Sequence, residues 1–144
     1  MDYTTIVIDN QEVIISSVDE DRILANIKKL TLKDLDKFIF QISSTYGKNL
    51  KIFHKNGNKK DYRRSNLILT NKALINDLMN LDFYRCCTQH YYYCPIGIHL
   101  DVNTKGYEVI YFDTEDHDKL VVKNEKSIGE AIKIFNKFKD KFLN

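Results

Sequence analysis

KIFHKNGNKKDYRRSNL, residues 51–67, places a single histidine, three asparagines, a glycine and a run of lysines and arginines in one short segment. The NLKIF stretch that leads into it reads as a strand, and the Asn56-Gly57 pair marks a turn. On its far side SNLILTNKALINDLMNL reads as a strand or turn leading into a helix. The segment therefore predicts a strand, a polar loop and a helix across residues 48 to about 80, with the His54 and Asn66 side chains facing each other across the turn.

Working outward, TTIVIDNQEVIISSV reads as two strands joined at Asp9-Asn10, with β-branched residues on both sides. VDEDRILANIKKL has an acidic start and suggests a short helix. KDLDKFIFQISSTYG carries Leu35, Phe38, Ile39 and Ile42 at helical spacing and predicts a helix running to Gly47. Beyond Tyr91 the pattern changes: GIHLDVNT, GYEVIYFD and KLVVKNE read as three short strands, and SIGEAIKIFNKFKDKF as a closing helix. Ser127 and Glu130 form an S-x-x-E capping box for that helix, and Ile128, Ile132, Phe135, Phe138 and Phe142 make one apolar stripe along it. The expected class is α+β, with a strand–loop–helix unit over residues 1–80 and a three-stranded antiparallel sheet with a C-terminal helix over residues 81–144.

A chain of 144 residues suits one domain, or two very small ones sharing a core, and 43% hydrophobic with 29% charged residues describes a folded protein. Its longest apolar runs fall far short of the roughly 20 residues of a membrane helix, and MDYTTIVIDN lacks the features of a secretory leader. Three cysteines, two of them adjacent at 86 and 87, make a poor disulfide framework and point to a reducing cytoplasm. The surplus of lysine, asparagine, isoleucine and tyrosine fits an AT-rich genome, such as that of a phage or a low-GC bacterium.

The net charge of +2 hides a strong segregation. Lys48, Lys51, Lys55, Lys59, Lys60, Arg63 and Arg64 stand against Asp61 alone, giving +6 over residues 48–64 and leaving −4 for the rest of the chain. Lys55, Lys59, Lys60, Arg63 and Arg64 are the candidate nucleic-acid contacts, since phosphate binding needs this clustering. A solvated turn is the alternative reading.

FHKNGNKKDYRRSNLILTN resembles the central motif of the HNH homing endonucleases, and LDKFIF upstream resembles the helix that precedes that motif. The three strands and capped helix at the C-terminal end are similar in layout to the Apetala-type DNA-binding domain. The first resemblance implies His54 as the base that deprotonates water, Asn66 as the residue that orients it, and one divalent cation, magnesium by preference, to stabilise the leaving oxygen. Two metal-ligand positions depart from the pattern. Phe53 occupies one and offers no donor atom, while the other falls on Leu74 or Ile75, with Asn76 one step away. Tyr62 stands where the family motif has asparagine.

The C-terminal half departs as well. Residues 101–118 carry six acids against Lys105, and Asp113, Glu115, Asp116 and Asp118 are candidate contacts for a basic protein partner. Cys87, His90 and Cys94 could supply three zinc ligands, yet adjacent Cys86 and a single cluster favour buried thiols, so no metal or cofactor is expected. The resemblance thus implies a phage-type, non-catalytic derivative that binds duplex DNA or a nuclease–nucleic acid complex as a regulator or inhibitor, an anti-CRISPR-like role included. The competing expectation is a working nicking endonuclease in which His54 and Asn66 are catalytic and Asn76 or Asp61 replaces a lost metal ligand.

Overall fold

A computed structural model of the chain describes residues 2–42, 50–74, 96–103, 106–113 and 120–143. The fold is mixed α+β. The described residues form eight strands in two sheets, of three and five strands, and a long C-terminal helix.

Strands β1 (Tyr3–Ile8) and β2 (Gln11–Ser16) pair antiparallel across the expected two-residue turn. Asp9 and Asn10 take φ values of 52° and 61°, the two consecutive positive φ angles such a hairpin needs, and both residue types tolerate them. Asp9 Oδ2 also accepts the Leu32 N–H at 2.8 Å, which ties the turn to the start of the helical segment. Alternation along β1 buries Ile6 and Ile8 and leaves Val7 exposed.

Helices α1 (Glu20–Ala25) and α2 (Leu35–Phe40) follow. The expectation that α2 runs to Gly47 is corrected, because it stops at Phe40 with Gln41 in the left-handed region at φ 62°. Gln41 N–H bonds Phe38 O at 3.2 Å and Ile42 N–H reaches back to Lys37 O at 3.1 Å, the double bond of a Schellman stop. Arg22 reinforces it by donating to Phe38 O at 2.7 Å and Ile39 O at 3.2 Å, carbonyls that a continuing helix would need.

Strands β3 (Leu50–His54) and β5 (Leu67–Asn71) form an antiparallel pair in which His54 lies opposite Leu67. The polar loop between them contributes two-residue β4 (Asp61–Tyr62), which pairs in parallel with β2 and completes the smaller sheet. After β5, Asn71 Oδ1 accepts the Leu74 N–H at 3.0 Å, as a cap does at the first turn of a helix. Strands β6 (Gly97–Leu100), β7 (Tyr107–Phe112) and β8 (Leu120–Glu125) extend the larger sheet in the order β3-β5-β6-β7-β8. Gly97, at φ 148°, permits the junction of the two halves, because a Cβ there would stand 2.8 Å from Leu69 O.

Helix α3 (Ile128–Leu143) begins at Ser127, whose Oγ accepts the Glu130 N–H at 3.2 Å. It buries Ala131, Phe135 and Phe138 against β7, and Phe138 meets the Tyr111 ring at 5.3 Å. Tyr107 closes the core from the other side by donating to Phe40 O at 2.5 Å. The two units expected at residues 1–80 and 81–144 share one sheet through the pairing of β5 with β6, and the apolar cluster runs from Ile6 through Phe138. No helix among the described residues is long and apolar enough to cross a membrane.

One buried ion pair crosses this architecture. Arg64 donates from Nε to Asp19 Oδ2 at 3.0 Å and from Nη2 to Oδ1 at 2.7 Å, with the two side chains 4% and 1% exposed. Breaking such a pair from one side strands a charge in low dielectric. Arg64→Ala should therefore cost about 3–5 kcal/mol in urea unfolding, while the double change Asp19→Leu with Arg64→Met should recover most of that loss. A single-variant loss below about 1 kcal/mol would remove the pair from the folding argument.

Candidate functional site: the polar loop between β3 and β5

The loop is built around Asp61. Its backbone carbonyl oxygen accepts a hydrogen bond from His54 Nδ1 at 2.9 Å and another from Asn66 Nδ2 at 2.9 Å. The two nitrogens can therefore be no further apart than twice that distance, so the structure brings His54 and Asn66 together as their spacing predicts. Since a carbonyl only accepts, Nδ1 carries a proton, which makes Nε2 the nitrogen that accepts in the neutral ring. The Tyr62 ring meets the imidazole edge-on, with centroids 4.9 Å apart, and fixes its plane.

The Asp61 side chain is equally committed. Oδ1 and Oδ2 receive Arg63 Nε at 2.9 Å and Nη2 at 2.7 Å, a bidentate pair, together with Arg63 N–H at 3.2 Å and Asn56 Nδ2 at 2.9 Å. Asn56 N–H in turn bonds Asn66 Oδ1 at 3.0 Å, and Lys55 N–H bonds Asn66 O at 2.8 Å. Asn58 N–H and Lys60 N–H close two Asx turns on Asn56 Oδ1 and Asn58 Oδ1. Gly57, at φ 78°, makes the tip of this frame possible. Each asparagine in the quoted segment is thus a structural strut for the loop backbone.

The frame sorts the predicted basic contacts. Lys59 and Lys60 are exposed and Lys55 is half-buried. Arg63 keeps 37% of its side chain exposed, but its guanidinium is held by Asp61 and lies 5.5 Å from the Tyr3 ring centroid. Arg64 is the correction: grouped with the phosphate contacts by charge alone, it turns inward to Asp19 and to Asp101 O at 3.0 Å, leaving no face for a phosphate.

Asp61 as a replacement metal ligand is also disfavoured, since both oxygens are already occupied by donors. Phe53, one step from His54 on β3, belongs to the opposite face of the strand. Among the described residues no cluster of three histidine, cysteine or acidic side chains could hold a metal ion. Asn76, the cluster of Cys86, Cys87, His90 and Cys94, and acidic Glu115, Asp116 and Asp118 lie outside the described residues. Asp113, at the end of β7, is half-buried.

One neighbour of this site was missed in the sequence. Asp36 on α2 sits within electrostatic reach of His54 and Tyr62, and burial pushes its carboxyl above the ordinary value of 3.8. The Lys37 N–H hydrogen bond and the charges of His54 and Lys37 offset only part of this. Its signal in LDKFIF is an acid two residues before Phe38, on a helix otherwise read for its apolar face.

Compared with protein-family models, with characterised proteins and with solved structures, the chain matches none. The loop geometry therefore carries the functional argument.

The two carboxyls give opposite pH signatures. Burial works to raise the Asp61 pKa, but the Arg63 and Asn56 hydrogen bonds and the Arg63 charge outweigh it, and the net shift is downward from 3.8. Stability from Asp61 is thus present above about pH 4 and is lost as pH falls through its depressed folded value. Asp36, shifted upward, favours the fold at low pH and loses that contribution as pH rises through its folded value. Asp61→Asn should flatten the acid limb of a stability–pH curve, whereas Asp36→Asn should raise stability at neutral pH and leave it unchanged near pH 3. Identical acid limbs in the parent and Asp61→Asn proteins would show that the loop frame does not depend on that carboxylate.

Proposed function

We propose that this chain is a non-catalytic nucleic-acid-binding protein whose β3–β5 loop lays Lys55, Lys59 and Lys60 along the phosphate backbone of duplex DNA, free or held within a nucleoprotein complex. The observation that carries this reading is the pre-organised frame of Asn56, Asn58, Asp61 and Asn66, which holds the lysine-bearing backbone in one shape. Rigid display lowers the ordering cost of binding. A solvated turn needs no such frame. The absence of catalysis rests on side-chain chemistry: Phe53 cannot ligate a cation, and the Asp61 oxygens are taken. A regulator or inhibitor acting at DNA is the role that fits a binder of this size.

One observation favours a second reading, a metal-dependent nicking endonuclease. His54 donates through Nδ1 to a carbonyl, which orients the ring with Nε2 as the nitrogen that a general base would use.

Both readings meet one set of measurements. With a fluorescent 20-bp duplex, binding should weaken steeply as salt rises, and changing Lys55, Lys59 and Lys60 together to Gln should reduce the log-log slope by about 2 to 3, at roughly 0.9 per phosphate contact. Arg64→Met paired with Asp19→Leu should leave that slope unchanged, because Arg64 faces inward. Binding without salt dependence would overturn the proposal. Supercoiled plasmid should stay intact with magnesium or manganese. Nicking that His54→Ala abolishes would establish the endonuclease instead.

A further inference from the structure

At the opposite edge of the larger sheet, a groove of about 380 Å³ lies between β8 and α3. Its floor is apolar, formed by Val121, Ile134 and Phe138. Its rim is basic: Lys123 from β8 and Lys137 and Lys141 from α3 are exposed, and among the described residues Asp113 is the one acid lining it. The two helix lysines stand one turn apart, on the same side of α3.

Strand β8 is outermost in the order β3-β5-β6-β7-β8, so among the described residues one of its backbone edges faces no other strand. Its exposure agrees, with Leu120 at 43% and Val122 at 50%. These two side chains stand on the sheet face opposite to Val121 and Lys123. An open strand edge is a row of unpaired N–H and C=O groups, and a groove beside it can read the alternate side chains of whatever chain pairs there.

We propose that β8 is a docking edge for an extended segment of a partner protein that alternates acidic and aliphatic side chains. The segment adds a sixth strand beside β8. Its acidic side chains point to the α3 side, where Lys123, Lys137 and Lys141 meet them, and its aliphatic ones lie beside Leu120 and Val122 on the other face. The period of two in the incoming strand matches the difference between these faces. A second copy of this chain fits poorly, because pairing two β8 strands would bring both sets of three lysines to one seam. The inference does not depend on the nucleic-acid reading of the β3–β5 loop, which lies at the other end of the sheet.

The test uses the full chain and a labelled eight-residue peptide of alternating glutamate and valine, with a lysine–valine peptide as its control. Fluorescence anisotropy should show saturable binding of the glutamate–valine peptide alone, and bound peptide should slow amide hydrogen exchange across residues 120–125. Changing Lys123, Lys137 and Lys141 together to Glu should weaken binding by about tenfold or more. All three are exposed, so the urea unfolding curve of that variant should stay close to the parent, and the corresponding Gln variant should give an intermediate affinity. Four results would overturn the proposal. They are equal binding of the lysine–valine peptide, no protection at 120–125 at saturation, protection that grows with protein concentration in the absence of peptide, and protection by a single-stranded oligonucleotide where the peptide gives none. The third would assign the edge to a second copy and the fourth to nucleic acid.

Discussion

Asp19 and Arg64 meet across 45 residues of chain, and the geometry around them orders most of the N-terminal half. The Asp19 carboxylate receives Arg64 from one side and Arg22 Nη2, at 3.3 Å, from the other. Arg22 passes the connection on to the last carbonyls of α2 and stacks over the Phe38 ring at 4.6 Å. Arg64 passes it to Asp101 O beyond β6, while its backbone N–H bonds Ser16 Oγ at the end of β2. A buried charge pair offsets its desolvation only when the remaining donors and acceptors find partners. Here they do, from four separate segments, which fixes where those segments sit relative to one another.

The pair also sets the direction of the chain at the candidate site. With Arg64 drawn inward, Arg63 beside it is left at the surface, where it closes on Asp61. Asp61 is then positioned both by β4 pairing and by that guanidinium, and its carbonyl becomes the shared acceptor for His54 and Asn66. The polar loop is thus rigid for a reason that starts in the core. A change at Asp19 that leaves the Arg64 charge uncompensated would reach the loop without touching it, whereas an apolar replacement of both partners would not.

This dependence explains which features could be read from the sequence. The Asp9-Asn10 turn, the strand in NLKIF, the Ser127 cap and the meeting of His54 with Asn66 rest on neighbours within about a dozen residues, so local chemistry was enough. Arg64 was misplaced because a charge count sees only its basic neighbours, and its true partner is remote in sequence. The stop of α2 at Phe40 was hidden for the same reason: Arg22, which takes the Phe38 and Ile39 carbonyls, comes from a different helix. Asp36 went unread as a site residue because nothing local distinguishes it from a solvated helix acid. Only the fold brings it within reach of His54.

The folded chain redistributes its charge in a way the linear count conceals. Of the seven basic residues between 48 and 64, Arg63 and Arg64 are consumed by Asp61 and Asp19, so the loop presents lysines rather than arginines to a partner. Lysine acts as a point charge without the planar fork of arginine, so contact through this loop should rest mainly on the phosphate backbone. The second half, acidic in sum, nevertheless gathers Lys123, Lys137 and Lys141 along its outer groove. Four strand spacings of about 4.8 Å separate β3 from β8, so the outer strands beside the two basic surfaces lie roughly 19 Å apart across the sheet. That spacing is longer than the Debye length of roughly 8 Å at physiological salt, so a partner proposed for one surface would feel little of the charge on the other.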